Sequence, residues 1–307
     1  MAGGIITTGA HPKAQWPGVK AWWGNVYNEF QVEWKDLVDE ETSDKAYEDV
    51  VQDTGFSLGA IKAQGGGLTY DANVQGYTSR AVHVTYGLGY IVTMEELQDN
   101  LYEAVSRVRA RANAFSMRQT KEVIVAGTYN NAFTSGYTGG DGVVLCSTSH
   151  PLNGGGTLAN RPAIDTDLSS NALEDAIIDI HGFTNDKGLR INVKPWRLIV
   201  PRQLWFEANR ILQSVYQPGS ANNDINAVKA TNAMPGGVVM NHYLTSAGAW
   251  FIRTDIRGSQ GLALYNRMPI TFDQDNDFDT KNAKAASVER YSVAWADFRA
   301  LYGTNGP

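Results

Sequence analysis

Cysteine is almost missing from this chain: Cys146 is the only one in 307 residues. A disulfide within the chain and a zinc site built of several thiolates are therefore excluded. Histidine is scarce as well, and His11, His83, His150, His181 and His242 are too scattered for any two to stand at metal-ligand spacing. Basic charge is in deficit. Lys and Arg number 26 against 32 Asp and Glu, a net charge of −6, whereas a surface that holds nucleic acid by its phosphates needs the opposite balance. No stretch approaches the roughly 20 apolar residues of a membrane span. Met1–Thr8 shows neither the basic start nor the apolar run of a secretion signal, so the expectation is a chain made and kept in a cytoplasm. What is plentiful is hydrophobic character, 43% against 19% charged, in a chain long enough for one large or two ordinary domains.

The strongest pattern runs from Thr93 to Gly127 and predicts one long helix over 94–126. Thr93 and Glu96 have capping-box spacing. Leu97, Leu101, Ala104, Val105, Val108, Ala112 and Phe115 recur at three- and four-residue steps and form one stripe. Acidic residues crowd the first turns, Arg111, Arg118 and Lys121 lie toward the far end, and Gly127 offers a stop. Such a rod is on the order of 50 Å long.

Before it lies a stretch of period-two alternation. Phe56, Leu58 and Ala60, then Val82 through Val92, flank the run Gly65–Gly67 and predict a long β-hairpin, which needs a surface to lie on. Residues 1 to about 40 carry Trp16, Trp22, Trp23, Trp34, Tyr27 and Phe30 in a segment too short to bury them against itself. These rings must pack on the rest of the chain or on another chain. The acidic stretch 36–53 reads as a solvated helix or turn.

Residues 127–170 hold eight glycines around one apolar run, Val143–Cys146, and read as a long loop region with one strand. Asn171 and Glu174 are placed to cap a helix ending at Gly182, Trp196–Val200 alternates as a strand, and Pro201 opens a third helix. Val238–Leu244 and Trp250–Arg253 complete a compact α/β unit. Leu262–Phe272, with Pro269 marking an edge or a bulge, and Tyr291–Trp295 return as strands. An α+β fold follows, with the α/β unit inserted.

Chemistry finds little support. Ser149-His150 is the obvious nucleophile–base pair, but adjacent loop residues rarely face one another and no Gly-x-Ser-x-Gly turn accompanies them. Asp273, Asp275, Asp277 and Asp279 begin like a calcium loop, yet Phe278 stands where glycine is needed and Lys284 where Glu is needed. The glycine runs lack the Lys-Ser/Thr of a phosphate loop. No catalytic, cofactor-binding or metal-binding residue is expected.

The order of elements, with several short stretches, resembles the major capsid proteins of tailed bacteriophages, the Hong Kong 97 fold, and in particular Mu-type major head subunits. The stretches are Gly87-Leu-Gly-Tyr-Ile-Val-Thr-Met-Glu-Glu-Leu, Ser147-Thr-Ser-His-Pro-Leu-Asn-Gly-Gly-Gly, Leu198-Ile-Val-Pro-Arg-Gln-Leu, Asn223-Asp-Ile-Asn, Trp250-Phe-Ile-Arg-Thr-Asp and Glu289-Arg-Tyr-Ser-Val-Ala-Trp-Ala-Asp-Phe-Arg. The resemblance implies an N-terminal arm (1–45), an extended β-hairpin loop with its leading strand (46–92), a peripheral domain with the spine helix (93–164), an axial α/β domain (165–260) and return strands (261–307). It implies a non-enzymatic head protein that self-assembles through pentamers and hexamers into an icosahedral shell around double-stranded DNA. Inter-subunit contacts are expected at Trp16, Trp22, Trp23, Phe30, Phe56, Leu58, Lys62, Tyr70 and Tyr77. The implied partners are further copies of the chain, a portal protein, a separate scaffolding protein, a decoration protein and packaged DNA held without sequence specificity; no membrane is involved. A shell lining that does not hold DNA would suit the acidic balance. No covalent cross-link from Lys62 is expected, since no partner asparagine or catalytic glutamate is identifiable. The virion is the expected location, after synthesis in a bacterial cytoplasm. A tail-tube or other ring-forming phage protein, and a cytoplasmic hydrolase, are the alternatives.

Overall fold

The computed structural model describes residues 16–98, 102–217 and 224–306, without the side chains of 16–22, 97–98 and 102–107. Two helices come first, α1 (Trp16–Glu29) and α2 (Trp34–Leu37), followed by strands β1 (Asp39–Thr42), β2 (Tyr47–Val51), β3 (Thr78–Val82) and β4 (Val84–Val92). Helices α3 (Met94–Gln98) and α4 (Tyr102–Asn130) lead to the short strands β5 (His150–Pro151) and β6 (Thr157–Leu158). Then come α5 (Ser170–His181), β7 (Pro195–Pro201), α6 (Trp205–Gln213), α7 (Ala227–Ala230), β8 (Val238–Asn241) and β9 (Trp250–Thr254). Strands β10 (Leu262–Asn276), β11 (Ala283–Trp295) and β12 (Leu301–Thr304) close the chain. The residues divide into two compact units, one of 1–32, 83–124 and 266–292, the other of 33–82, 125–265 and 293–307.

In the first unit β4 pairs antiparallel with β11 from Val92↔Ala283 to Val84↔Tyr291, at one end of a sheet ordered β1-β10-β11-β4. The expected hairpin therefore divides at His83: β3 turns back to β2, whereas β4 leaves for a strand about two hundred residues away in sequence. Pro269 sits inside β10.

Helix α4 buries a different face from the expected one. Val108, Ala112, Phe115 and Val123 point outward, while Ala110, Asn113, Ala114, Met117, Lys121 and Glu122 are buried. Small alanines let the helix approach the sheet, and the buried polar groups are paired. Asn113 Nδ2 donates to the Leu88 carbonyl at 2.9 Å, and its Oδ1 accepts from Trp23 Nε1 at 3.1 Å and Ser287 Oγ at 2.7 Å. Lys121 Nζ lies 2.9 Å from Glu289 Oε2, with both side chains nearly inaccessible. Apolarity alone selects the wrong face wherever the inner face is polar but satisfied. The helix also runs past Gly127 to Asn130, so that glycine is an interior residue rather than the stop. The expected single helix over 94–126 is described as two, α3 and α4, with 99–101 outside the described residues; at the start of α3 the Glu96 N–H reaches Thr93 Oγ1 at 3.4 Å, but the Glu96 carboxylate goes to Arg109 at 3.0 Å instead of closing the box.

In the second unit the sheet order is β12-β9-β7-β8, with β7 and β8 parallel around α6 and the other pairs antiparallel. Leu173, Ile180, Leu198, Val200, Ile211, Trp250, Ile252 and Tyr302 form its core. The expected α/β unit is present, but its sheet is completed by β12 from the chain's end rather than by local residues alone. Gly303 is required there: a Cβ would lie 2.6 Å from Phe251 Cδ1 and 2.9 Å from Cys146 Sγ. Helix α5 is capped by Ser169, whose Oγ accepts from the Ala172 N–H at 3.1 Å, two residues before the expected cap. Half of the acidic stretch 36–53 is strand, β1 and β2, rather than a solvated helix or turn, with Asp39 bound to the buried Arg253 at 2.6 Å.

Candidate functional site

Residues 52–77 leave the β2–β3 ladder as a long excursion. One further bond, Gln52 N–H to the Tyr77 carbonyl at 3.0 Å, continues the ladder before strand pairing ends. The neck is then held by side chains. Asp71 accepts from the Ser57 N–H at 2.7 Å and from Lys187 Nζ at 3.0 Å, and Lys187 also donates to the Ala72 carbonyl at 3.1 Å. The Ser57 amide, and after it Lys187, hold the Asp71 carboxyl down at about 2. Beyond the neck the expected two strands do not form. Glycines at 59 and 65–67 and alanines at 60 and 63 leave little β-branched surface to pair, and two bare strands are marginal in water.

This excursion is strongly apolar for a surface segment. Ile61 is fully exposed (101%), Tyr70 89% and Leu58 78%, with Phe56, Leu68 and Val74 also open. Lone exposed hydrophobics are ordinary, but a contiguous group on a chain with little else to cover it marks an interaction surface. Of the expected contact residues, Phe56, Leu58, Lys62 and Tyr70 are exposed and Tyr77 is half-buried. Ile61, Leu68 and Val74 are exposed beside them without being among the expected residues, because strand alternation draws attention to Phe56 and Leu58 and fails in the glycine-rich tip.

The aromatic arm divides differently. The side chains of Trp16 and Trp22 lie outside the described residues. Trp23 is only 4% exposed, stacked on Tyr27 at 5.3 Å and Phe272 at 5.1 Å, so its own chain already covers it. Phe30 is half-buried, tilted against Phe115 with ring centres 4.8 Å apart.

The residues that suggested catalysis do not converge. His150 is buried, with Nδ1 2.6 Å from Asp141 Oδ2 and Nε2 3.1 Å from Asn160 Oδ1, and its ring stacks on Phe298 at 3.8 Å. Both ring nitrogens are engaged elsewhere, and the Ser149 N–H is turned to Ser147 Oγ. Asp277 is bound to Lys284 at 2.6 Å, which holds its carboxyl below the usual range. Among the described residues no three His, Cys, Asp or Glu side chains gather as metal ligands. Burial pushes the Cys146 thiol up, away from the reactive thiolate.

A family model described as phage capsid protein matches residues 76–303. No curated protein matches the chain in sequence. Its fold is shared with a virus-like particle from Pyrococcus furiosus, at a TM-score of 0.55 and 9% identity over 94% of this chain and 99% of that one. The capsid of an empty GTA particle is similar at 0.54 and 11% over 91% of each chain, and a protein of Mycobacterium phage Che8 at 0.51 and 12% over 90% and 93%. As the family match takes in well over half of its length, the chain belongs to the phage capsid protein family and is a major capsid protein.

Proposed function

We propose that copies of this chain close, through pentamers and hexamers, into an icosahedral shell around the double-stranded DNA of a tailed bacteriophage, with each 52–77 excursion lying over a neighbouring subunit. The observation that carries this reading is the exposure of Leu58, Ile61, Leu68 and Tyr70 together on one segment with no core of its own. Permanent assemblies have large, apolar interfaces, so such a segment is stabilised when a second chain removes it from water. Residues 165–260 act as the axial domain around which capsomers form, α4 as the spine of the peripheral domain, and the arm ahead of Val32 as a further contact. A portal protein, a separate scaffolding protein and a decoration protein complete the head, and DNA is held inside without sequence readout. The chain is made in the host cytoplasm and ends in the virion.

The test is expression of the chain alone, followed by negative-stain electron microscopy and light scattering. Closed shells, or rings of five and six, are expected. The double variant I61D/Y70D is expected to remain unassembled with unchanged circular dichroism, since both side chains are exposed and their replacement costs the fold within about 0.5 kcal/mol. A wild-type chain that stays monomeric even beside the other head proteins of its phage would overturn the shell; a double variant that assembles normally would overturn the role of the loop.

A further inference from the structure

We propose that Lys187 and Asp71 form a clasp that fixes the direction of residues 58–70 before a second copy meets them. This rests on the reading that the excursion contacts a neighbour, and assigns two positioning residues at its base.

Residues 58–70 have almost nothing of their own to hold them. Among the described residues their one backbone hydrogen bond runs from the Gly66 N–H to the Ala63 carbonyl at 3.0 Å. A segment so bare samples many directions unless something outside it fixes its base. Both legs are tied to one turn, residues 185–188. Lys187 Nζ holds the returning leg twice, at Asp71 Oδ1 and at the Ala72 carbonyl, while Asp71 Oδ2 takes the Ser57 N–H of the outgoing leg. Asn185 Nδ2 lies 3.5 Å from the Phe56 carbonyl on that same leg.

The turn is a firm base. Asn185 Oδ1 accepts from the N–H groups of Lys187 at 3.0 Å and Leu189 at 2.9 Å. Asp186 is buried, and its two oxygens take Arg299 Nη2 at 2.9 Å and Asn153 Nδ2 at 3.0 Å. Arg299, itself buried, also donates to the Thr184 carbonyl at 2.8 Å. Lys187 therefore reaches the excursion from a backbone fixed on both sides.

The Lys187 and Asp71 side chains keep 26% and 33% of their surface in water. An ion pair so exposed adds little to folding. Its effect falls on assembly. Association bears the ordering cost of each mobile segment, and a segment already held in one direction lowers that cost. The Asp71 carboxyl is held down at about 2, so the pair stays charged at neutral pH, and salt rather than mild acid weakens it.

Two measurements test this. The first uses the unassembled I61D/Y70D chain with spin labels on K62C/Q203C, both exposed positions, while the buried Cys146 stays unlabelled. Pulsed electron paramagnetic resonance is expected to give one narrow distance, broadened in K187A and in D71N. D71N keeps an acceptor for the Ser57 N–H and loses only the charge. Urea midpoints should not move. The second is the concentration needed for assembly in otherwise wild-type chains, read by light scattering. K187A and D71N are each expected to raise it about tenfold, the double variant no further, and K187R to stay near wild type. Equal distance widths would overturn the clasp. Normal assembly of K187A despite a broadened distance, or a urea midpoint that falls in step with assembly, would overturn the positioning role. A wild-type chain that never assembles would instead remove the shell reading on which this one rests, whatever the spin labels show.

Discussion

Asn160 ties several distant stretches of backbone together. Its Nδ2 lies 2.7 Å from the Leu145 carbonyl, 3.0 Å from that of Phe298 and 2.9 Å from that of Leu301, and its Oδ1 accepts from the Ser147 N–H at 2.8 Å and lies 3.1 Å from His150 Nε2. Glycine-rich residues 127–170 have almost no ladder of their own, so buried carbonyls there depend on side chains such as this. N160L keeps the volume and removes every bond. It is expected to cost about 3 kcal/mol or more, because an orphaned buried acceptor loses its water without replacement. Urea denaturation in the unassembled I61D/Y70D background measures this; a loss under about 1 kcal/mol would deny Asn160 its role. The sequence pointed to His150 instead, through its neighbour Ser149. Asn160 was invisible because its partners lie as far as 141 positions away, beyond any local spacing rule.

At the scale of elements, the packing of α4 on β11 turns on an ion pair. Lys121 and Glu289 are buried with Tyr291, whose ring lies 4.9 Å from Lys121 Nζ and whose hydroxyl burial pushes up, and with Arg118, 4.9 Å from the Tyr27 ring. Burial raises the Glu289 carboxyl, with Lys121 opposing. A raised acid binds its proton more tightly when folded. Its stabilisation is full below the ordinary carboxylate range and is lost as pH rises through the raised value. K121M alone is expected to cost about 3–5 kcal/mol by leaving a buried carboxylate uncompensated, and K121M/E289L to return to within about 1 kcal/mol of wild type while losing this part of the pH slope. A double-variant cycle of urea midpoints between pH 4 and 8 reads both; additive losses would refute the pairing. Here the helix itself was legible from its period, but its inward face was not. The apolar stripe at Val108, Ala112 and Phe115 is the outer one, and only partners distant in sequence reveal that Asn113 and Lys121 are satisfied inside.

For the whole molecule, the long helix, the α/β unit and the return strands could be read from the chain, and with them a mixed helix-and-sheet class, whereas α1, α2, β1, β2 and β12 could not. What could not be read is which strand pairs with which: β4 with β11, or β12 with β9, since long-range pairing leaves no local trace. The surplus apolar surface of residues 56–74 and of β4 was half legible, as alternation without a visible partner. That surplus carries a thermodynamic consequence. A chain that leaves Ile61, Tyr70 and Leu58 in water forgoes their burial unless a second copy supplies it, so assembly and stability are linked by mass action. Calorimetry should show wild-type particles unfolding at a higher temperature than the unassembled I61D/Y70D chain, by about 1–2 °C for each 1 kcal/mol gained per subunit. The variant's own transition should be independent of protein concentration, as nothing associates with it. Equal transition temperatures for particles and variant would mean that the exposed loop is not where this chain completes its core.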